Sequence, residues 1–327
     1  MADQMEEKVT FDGKKVKVLG PTFEEGKPET PINWRQKMRN RDEMLAYLKT
    51  GERYWFSDEW FGSEKRKPRP KQDNQREGRI MAFEIPKMTY TGKIKEVTLG
   101  KGPKAVTIGG ETAYPFHLFE GEMPHAPRIA MEVYDVPPEE WPEAALEPFK
   151  DVANDPVAWA KKCVQSYGAE MIALQLVSTD PNGLNRSADE AAQTAKKVAA
   201  AVDVPVIVWG SGNTEKDADV LRKVADACDG MNLVIGPVAE GNYKQVGAGA
   251  IGYKHTAIAS TPIDINLAKQ LNILLGNLGV PDGQIVVDPT TGGLGYGIEY
   301  TYSVMERDRM AALTQQDERL QFPILCN

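Results

Sequence analysis

The sequence has few of the residues that build metal and redox sites. Its three cysteines, Cys163, Cys228 and Cys326, are scattered over 327 residues without Cys-x-x-Cys spacing. They are too few for a disulfide framework, which favours a reducing cytoplasm. A [4Fe–4S] cluster needs four thiolates, so we expect no iron–sulfur cluster on this chain.

Histidine is equally scarce. None of His117, His125 and His255 lies three or four residues from another histidine or a cysteine, so the spacing typical of metal ligands is missing. We predict no metal site. We also predict that His117, in an aromatic run, and His255, inside an apolar strand, are structural residues with satisfied hydrogen bonds.

Long apolar runs are missing too. No segment approaches the roughly 20 apolar residues that span a bilayer, and the first residues are polar and acidic, unlike a secretory signal. We therefore expect no membrane partner.

A basic, proline-containing stretch at 65–71 could contact an acidic partner or nucleic acid, but no RNA-binding aromatic motif accompanies it. We interpret it as a solvated linker and expect no nucleic-acid partner.

Strand and helix patterns alternate along the second part of the chain. Apolar β-type runs separated by helical patterns indicate a parallel sheet covered by helices. The capping box Ser187–Glu190 and a similar acidic pattern at Thr214–Asp217 predict helix starts, and Gly279 predicts a helix end. Seven strands are predicted, at 128–133, 171–177, 204–209, 231–235, 250–259, 284–287 and 322–326.

The predicted fold class is α/β, of the (β/α)8 TIM-barrel type, truncated after the seventh strand. A complete barrel has eight strands, so a miscounted strand, a fragment or an atypical closure all remain open. Two β-type runs joined by Gly-Lys-Gly-Pro, at 93–100 and 104–110, predict a hairpin that plugs the N-terminal mouth of the barrel. Residues 1–87 are predicted to be an irregular extension or small lobe with one helix at 34–48, and residues 88–327 to be the barrel domain.

In such barrels the ligand face lies at the C-terminal ends of the strands. Those ends carry Asn213, Ser260 and Asp288, and the last is followed by a loop with Gly292, Gly293, Gly295 and Gly297. Glycine allows the backbone to approach a ligand closely, although a tight connection without a ligand would use it too. The loop matches neither a GxGxxG fingerprint nor a Walker loop. The strand-end set holds neither histidine nor lysine, which favours hydrogen bonding to a large polar ligand.

Four segments together resemble a known family. They are VTIGGETAYPFHLFEGEMPHAPRIAMEVYDV, VWGSGNTEKDADVL, DINLAKQLNILL and DPTTGGLGYGIEYTYSVMER, in that order. They resemble the small (delta) subunit of the corrinoid iron–sulfur protein of the acetyl-CoA decarbonylase/synthase system, over about residues 93–327.

The resemblance implies a barrel similar to methyltetrahydrofolate-dependent methyltransferases. It implies a large (gamma) subunit that carries the [4Fe–4S] cluster and a mobile corrinoid-binding domain, with the corrinoid held between that domain and the top of this barrel. A cobalt centre would carry methyl from a methylpterin methyltransferase to acetyl-CoA synthase, in the Wood–Ljungdahl pathway. The sequence lacks the DxHxxG motif through which many corrinoid proteins bind cobalt.

On this interpretation we expect the corrinoid to contact the glycine loop with Tyr296, and also Asn213, Ser260 and Asp288. Two alternatives remain open. The barrel could itself transfer methyl from a methylpterin, whose ring strand-end Asp and Asn would hold. The chain could instead be a scaffold that never contacts the cofactor.

Overall fold

The computed structural model describes residues 84–115 and 117–327, together with four short strands nearer the N terminus. The chain divides into two compact units, Met1–Ala82 and Phe83–Asn327. In the first unit, strand β1 (Glu7–Phe11) pairs with β2 (Lys14–Val18), and β3 (Thr22–Glu24) pairs with β4 (Lys27–Glu29), both antiparallel. The helix predicted at 34–48 and the basic stretch at 65–71 lie outside the described residues.

The second unit alternates strands and helices. Its elements are β5 (Val97–Leu99), β6 (Val106–Ile108), β7 (Ala130–Tyr134), α1 (Glu143–Leu146), α2 (Pro156–Tyr167), β8 (Met171–Gln175), α3 (Ala188–Ala201), β9 (Val206–Trp209), α4 (Thr214–Ala227), β10 (Val234–Val238), α5 (Tyr243–Tyr253), β11 (Thr256–Ser260), α6 (Ile265–Leu278), β12 (Ile285–Asp288) and α7 (Ile298–Thr314).

The main sheet has the topology of a barrel. Strands β7 to β12 are all parallel and lie side by side in chain order. A doubly wound sheet reverses its strand order at a switch point, whereas a (β/α) barrel adds each strand next to the previous one. The predicted seventh strand is present as a single parallel bridge between Val287 and Ile324. The predicted (β/α) barrel type is therefore confirmed.

Two apolar layers stabilise this sheet. Alternate residues on each strand face opposite sides, because the side-chain period of a strand is two. In β8, Ile172 and Leu174 pack outward against the helices, while Met171 and Ala173 face the inner cluster. Burial of these side chains removes apolar surface from water and supplies the main stabilising free energy of the unit.

The inner cluster is closed by the predicted hairpin. Val97 and Leu99 of β5 and Val106 of β6 pack against inward-facing residues of five of the barrel strands, β8 to β12. Two further contacts fix the hairpin beside the start of β10. Asn232 Nδ2 donates to the Gly100 carbonyl (2.5 Å), and Lys101 Nζ donates to the Gly230 carbonyl (3.0 Å). The contacted residues lie just before β10, at the N-terminal end of that strand. The hairpin therefore plugs the N-terminal mouth, as predicted.

Several predicted boundaries were wrong. The fifth strand was placed at 250–259, but residues 250–253 end helix α5, and β11 begins only at Thr256. The run Ala-Ile-Gly-Tyr is apolar because it packs as a helix against the sheet, which periodicity in so short a stretch does not distinguish from a strand. His255 thus lies before the strand. It is buried, accepts from the Leu233 amide at Nδ1 and contacts the Ala225 carbonyl through Nε2, which confirms it as a satisfied structural histidine.

The fourth strand was also placed too early. It runs Val234–Val238, so Gly236 and Pro237 lie within it. At the start of helix α4, before this strand, the cap is Asn213, whose Oδ1 accepts from the Lys216 amide, and not Thr214 as predicted. The capping box Ser187–Glu190 and the helix end at Gly279 are confirmed.

Candidate functional site

The C-terminal ends of β11 and β12 form the centre of the candidate site. Asp288, the last residue of β12, is only 3% exposed. Its carboxylate accepts from Ser260 Oγ at the end of β11 (2.6 Å) and from the Thr290 amide (3.0 Å). Burial raises the pKa of Asp288, and these two hydrogen bonds act in the opposite direction. Two predicted contact residues, Ser260 and Asp288, are therefore brought together, and each is bonded to the other.

The opposite side of the mouth repeats this pairing of carboxylate and hydroxyl. Asp135 follows β7, and both of its oxygens accept from Ser178, one from the amide (3.0 Å) and one from the hydroxyl. Burial raises the pKa of Asp135 as well. Neighbouring parallel strands end at the same edge of the sheet, so a carboxylate on one strand reaches a hydroxyl after the next. The bonds brace the mouth of the barrel.

A third buried carboxylate shapes the loop after β9. Asp217, in the first turn of α4, has no exposed surface and accepts from the Ser211 amide (2.9 Å), the Ser211 hydroxyl (3.0 Å) and the Gly212 amide (2.8 Å). These bonds fix the loop that presents Asn213. Because Asn213 Oδ1 is occupied as the helix cap, its amide Nδ2 is the atom left for a ligand. Asp217 was read as part of a capping box, so its role in the loop was missed.

The base of the glycine loop is closed by hydrogen bonds. Thr301 Oγ1 donates to the Thr290 carbonyl (3.0 Å) and accepts from the Gly292 amide (2.8 Å), while Thr290 Oγ1 donates to the Thr261 carbonyl. An added Cβ at Gly292 would lie 2.4 Å from the carbonyl carbon of Gly297. Gly292 and Gly297 thus allow two backbone segments of the loop to approach each other, as in a tight βα connection.

The tip of the same loop is open. A turn in which the Tyr296 and Ile298 amides both donate to the Gly293 carbonyl shapes it, and Gly295 has a φ of +77°. The side chains of Leu294 and Tyr296 are 92% and 91% exposed. Two large apolar side chains held this far into solvent by a braced loop are typical of a contact surface. Composition alone did not single out Leu294; its place between two glycines was the available signal.

The remaining chemistry-bearing residues do not gather at this site. Within the described part of the chain, no three His, Cys, Asp or Glu side chains are grouped so as to hold a metal ion. Cys163 and Cys228 are buried among apolar side chains, and burial raises the pKa of each thiol to about 11. Among the residues described, no helix combines the length and the apolar character needed to cross a bilayer.

The family model for the CO dehydrogenase/acetyl-CoA synthase delta subunit matches residues 96–327. This chain belongs to that family. It is 40% identical over 252 residues to the acetyl-CoA decarbonylase/synthase complex subunit delta of Archaeoglobus fulgidus, covering 74% of this chain and 55% of that protein. The corresponding subunit of Methanocaldococcus jannaschii is 37% identical over 249 residues, covering 74% and 61%. The chain therefore spans little more than half the length of these relatives.

Two solved structures show a distant likeness to this delta-family chain. Dihydropteroate synthase from Xanthomonas albilineans is 14% identical with a TM-score of 0.42, over 62% of this chain and 71% of that one. A deoxyribose-phosphate aldolase from Toxoplasma gondii is 14% identical with a TM-score of 0.38, over 61% and 89%. At these scores the likenesses carry no argument about function.

Proposed function

We propose that this chain caps a corrinoid, as part of the small subunit of a corrinoid iron–sulfur protein in an acetyl-CoA decarbonylase/synthase complex. The observation that carries the proposal is the exposed Leu294–Tyr296 tip, standing on a hydrogen-bonded base at the C-terminal end of the barrel. Family membership supplies the context, because the relatives are named as subunits of that complex.

The residues at the mouth fit such a ligand in chemical type. A corrinoid has a broad apolar ring edged by amide side chains, so it needs apolar cover and amide partners. Tyr296 and Leu294 offer the first, and the free Nδ2 of Asn213 offers a donor to an amide oxygen. When bound, the corrinoid supplies a cobalt centre that carries a methyl group.

The buried pairs position this surface, and Ser260 and Asp288 stay proposed contacts of the corrinoid. Ser260 and Asp288 are bonded to each other, and the Thr290 amide bonds to the same carboxylate, so the start of the glycine loop is fixed to β11 and β12. A fixed loop loses little conformational entropy when it covers a ligand. Covering the ring excludes water and oxidants from the cobalt.

The proposal includes three partners. A large (gamma) subunit would carry both the iron–sulfur cluster and the corrinoid-binding domain. A methylpterin methyltransferase and acetyl-CoA synthase would approach in turn. Because two partners need the same cobalt, the cap has to move aside, and a contact limited to a small loop tip can separate more readily than an extended interface.

The test is reconstitution of the full chain with a large subunit loaded with corrinoid. Tyr296→Ala is expected to speed corrinoid oxidation in air, followed by the cobalt absorption bands, and to lower corrinoid retention after gel filtration. Tyr302→Ala is the matched control, since Tyr302 is exposed on α7 and bonds to Glu306. Equal behaviour of the two variants and the unaltered protein would refute the cap.

Binding of a methylpterin distinguishes the methyltransferase alternative. Titration of the isolated chain with methyltetrahydrofolate is expected to show no saturable binding. Micromolar binding in the absence of a large subunit would favour a methyl-transferring barrel. A complex that forms normally with corrinoid oxidation unaffected by any change at the loop tip would favour the scaffold.

A further inference from the structure

A cavity of about 280 Å³ lies beside the C-terminal end of β7, away from the glycine loop. It is bounded by the segment after β7, by the start of helix α2, and by the approach to α3 and one face of that helix. Its charged and amide-bearing lining residues are Asp135, Asn154, Asp155, Arg186 and Lys197. No step of the proposed cap uses this cavity.

Three hydrogen-bond donor side chains of this cavity have no partner in the described chain. The side chains of Arg186, Lys197 and Asn154 make no hydrogen bond, and neither cation forms an ion pair, with any residue among 84–115 and 117–327. All three side chains are exposed to solvent, so water takes their hydrogen bonds in the free protein and a ligand has to displace it. Three donor groups, two of them cationic, thus line one concave surface without a hydrogen-bonded protein acceptor.

The two carboxylates that line the cavity are already engaged. Asp135 accepts from both the amide and the hydroxyl of Ser178. Asp155 is the cap of helix α2 and accepts from the amides of Val157 and Ala158. Because Asp155 already accepts from the amides at the start of α2, the donors still available to a ligand in the cavity belong to side chains.

This combination is selective for a particular ligand chemistry. A guanidinium presents several N–H groups in a planar fork that matches the oxygens of phosphate or carboxylate, and an ammonium adds a second positive charge. The nearby carboxylates of Asp135 and Asp155 oppose any anion, so Arg186 and Lys197 together have to outweigh that repulsion. The volume is at the lower limit of small-molecule sites, which run from about 300 to 1,000 Å³.

We propose that this cavity is a binding site for a small oxyanion carrying two negative charges, held by Arg186, Lys197 and Asn154. Both a phosphoryl group and a short dicarboxylate have this chemistry. The site is separate from the proposed corrinoid surface, so either proposal can fail without the other.

Calorimetric titration of the full chain tests the site, with inorganic phosphate in one series and succinate in another. Ionic strength is matched with sodium chloride, because exposed charges also attract anions non-specifically. Saturable one-to-one binding of either anion is expected, and the tighter anion identifies the class. Failure of both to bind above the chloride background would overturn the proposal.

Three variants locate the binding. Arg186→Gln and Lys197→Gln are each expected to weaken binding about tenfold or more, the loss typical of a charge-assisted hydrogen bond. Lys196→Gln is the matched control: it removes the same charge from the adjacent position of α3, and Lys196 does not line the cavity. Its affinity is expected to stay unchanged. Equal weakening in all three variants would mean non-specific attraction and would overturn the site. Should Arg186→Gln fail to fold by circular dichroism, the comparison of Lys197→Gln with Lys196→Gln decides alone.

Discussion

Asp308 provides a test of how burial controls the stability of the barrel. It lies in helix α7, is 2% exposed, and one of its carboxyl oxygens has no hydrogen-bond partner. Burial raises the pKa of this carboxyl from 3.8 to about 6, while the charges of Arg309 and Arg307 act in the opposite direction. The charged form is thus less favourable in the folded protein than in the unfolded one.

The sign of the pH dependence follows from this shift. Below pH 3.8 the carboxyl is protonated in both states and costs nothing. Between 3.8 and about 6 the unfolded chain loses its proton first, so the free energy of unfolding falls as the pH rises. Above about 6 the cost is complete. A difference of roughly two pKa units corresponds to about 3 kcal/mol, as an upper figure.

Asp308→Asn removes this cost at neutral pH and retains the shape of the side chain. The amide still leaves polar atoms buried, which costs about 1–2 kcal/mol, so a net gain of about 1–2 kcal/mol is expected at pH 8. Arg309 retains Glu111 as a second nearby carboxylate and still donates to the Phe322 carbonyl. The gain should shrink or reverse at pH 4.5, where the native carboxyl is largely protonated.

Urea unfolding of both proteins at pH 4.5 and pH 8 measures the difference. Glu318→Gln, which changes an exposed carboxylate just beyond α7, is the control and is expected to change stability by less than about 0.5 kcal/mol at either pH. A gain for Asp308→Asn that is the same at both pH values, or a loss at pH 8, would refute the argument from burial.

Three further changes test local bonds and close contacts in the barrel unit. Asp217→Asn is expected to destabilise the protein by about 2 kcal/mol in thermal unfolding, since its amide group cannot accept from all the loop donors; an unchanged melting temperature would contradict a stabilising role for these bonds to the loop after β9. Gly292→Ala should cost clearly more than Gly295→Ala, because a Cβ at 292 meets backbone at 2.4 Å whereas one at 295 meets nothing within 4 Å and carries only the cost of positive φ, about 1 kcal/mol. Equal losses would exclude the closed loop base. Ser187→Ala should lower the free energy of unfolding in urea by about 1 kcal/mol through loss of the capping box.

Local signals predicted the architecture because they act over a few residues. Apolar runs with Ser187 as a cap and Gly279 as an end defined helices and strands, and their alternation allowed few topologies. The failures occurred where one pattern suits two structures. Residues 250–253 are apolar in a helix as they would be in a strand, and both Asn213 and Thr214 can cap α4.

The candidate site was predictable by position and not by role. Barrel geometry indicates that Asp288 and Ser260 end at the ligand face, and the structure brings them together. It also buries Asp288, so its carboxylate braces the loop through Ser260 and the Thr290 amide. Which predicted residues contact a corrinoid stays a prediction.

By itself the sequence determined the order of strands and helices, the hairpin and the family, since each depends on neighbouring residues or on long matching motifs. Only the tertiary structure decided which polar groups are hydrogen-bonded to one another and which remain exposed. Residues distant in the chain, such as Asp135 and Ser178, meet through strand pairing, and no local pattern records that distance. The same packing left Tyr296 exposed and gathered Arg186 and Lys197 around one cavity.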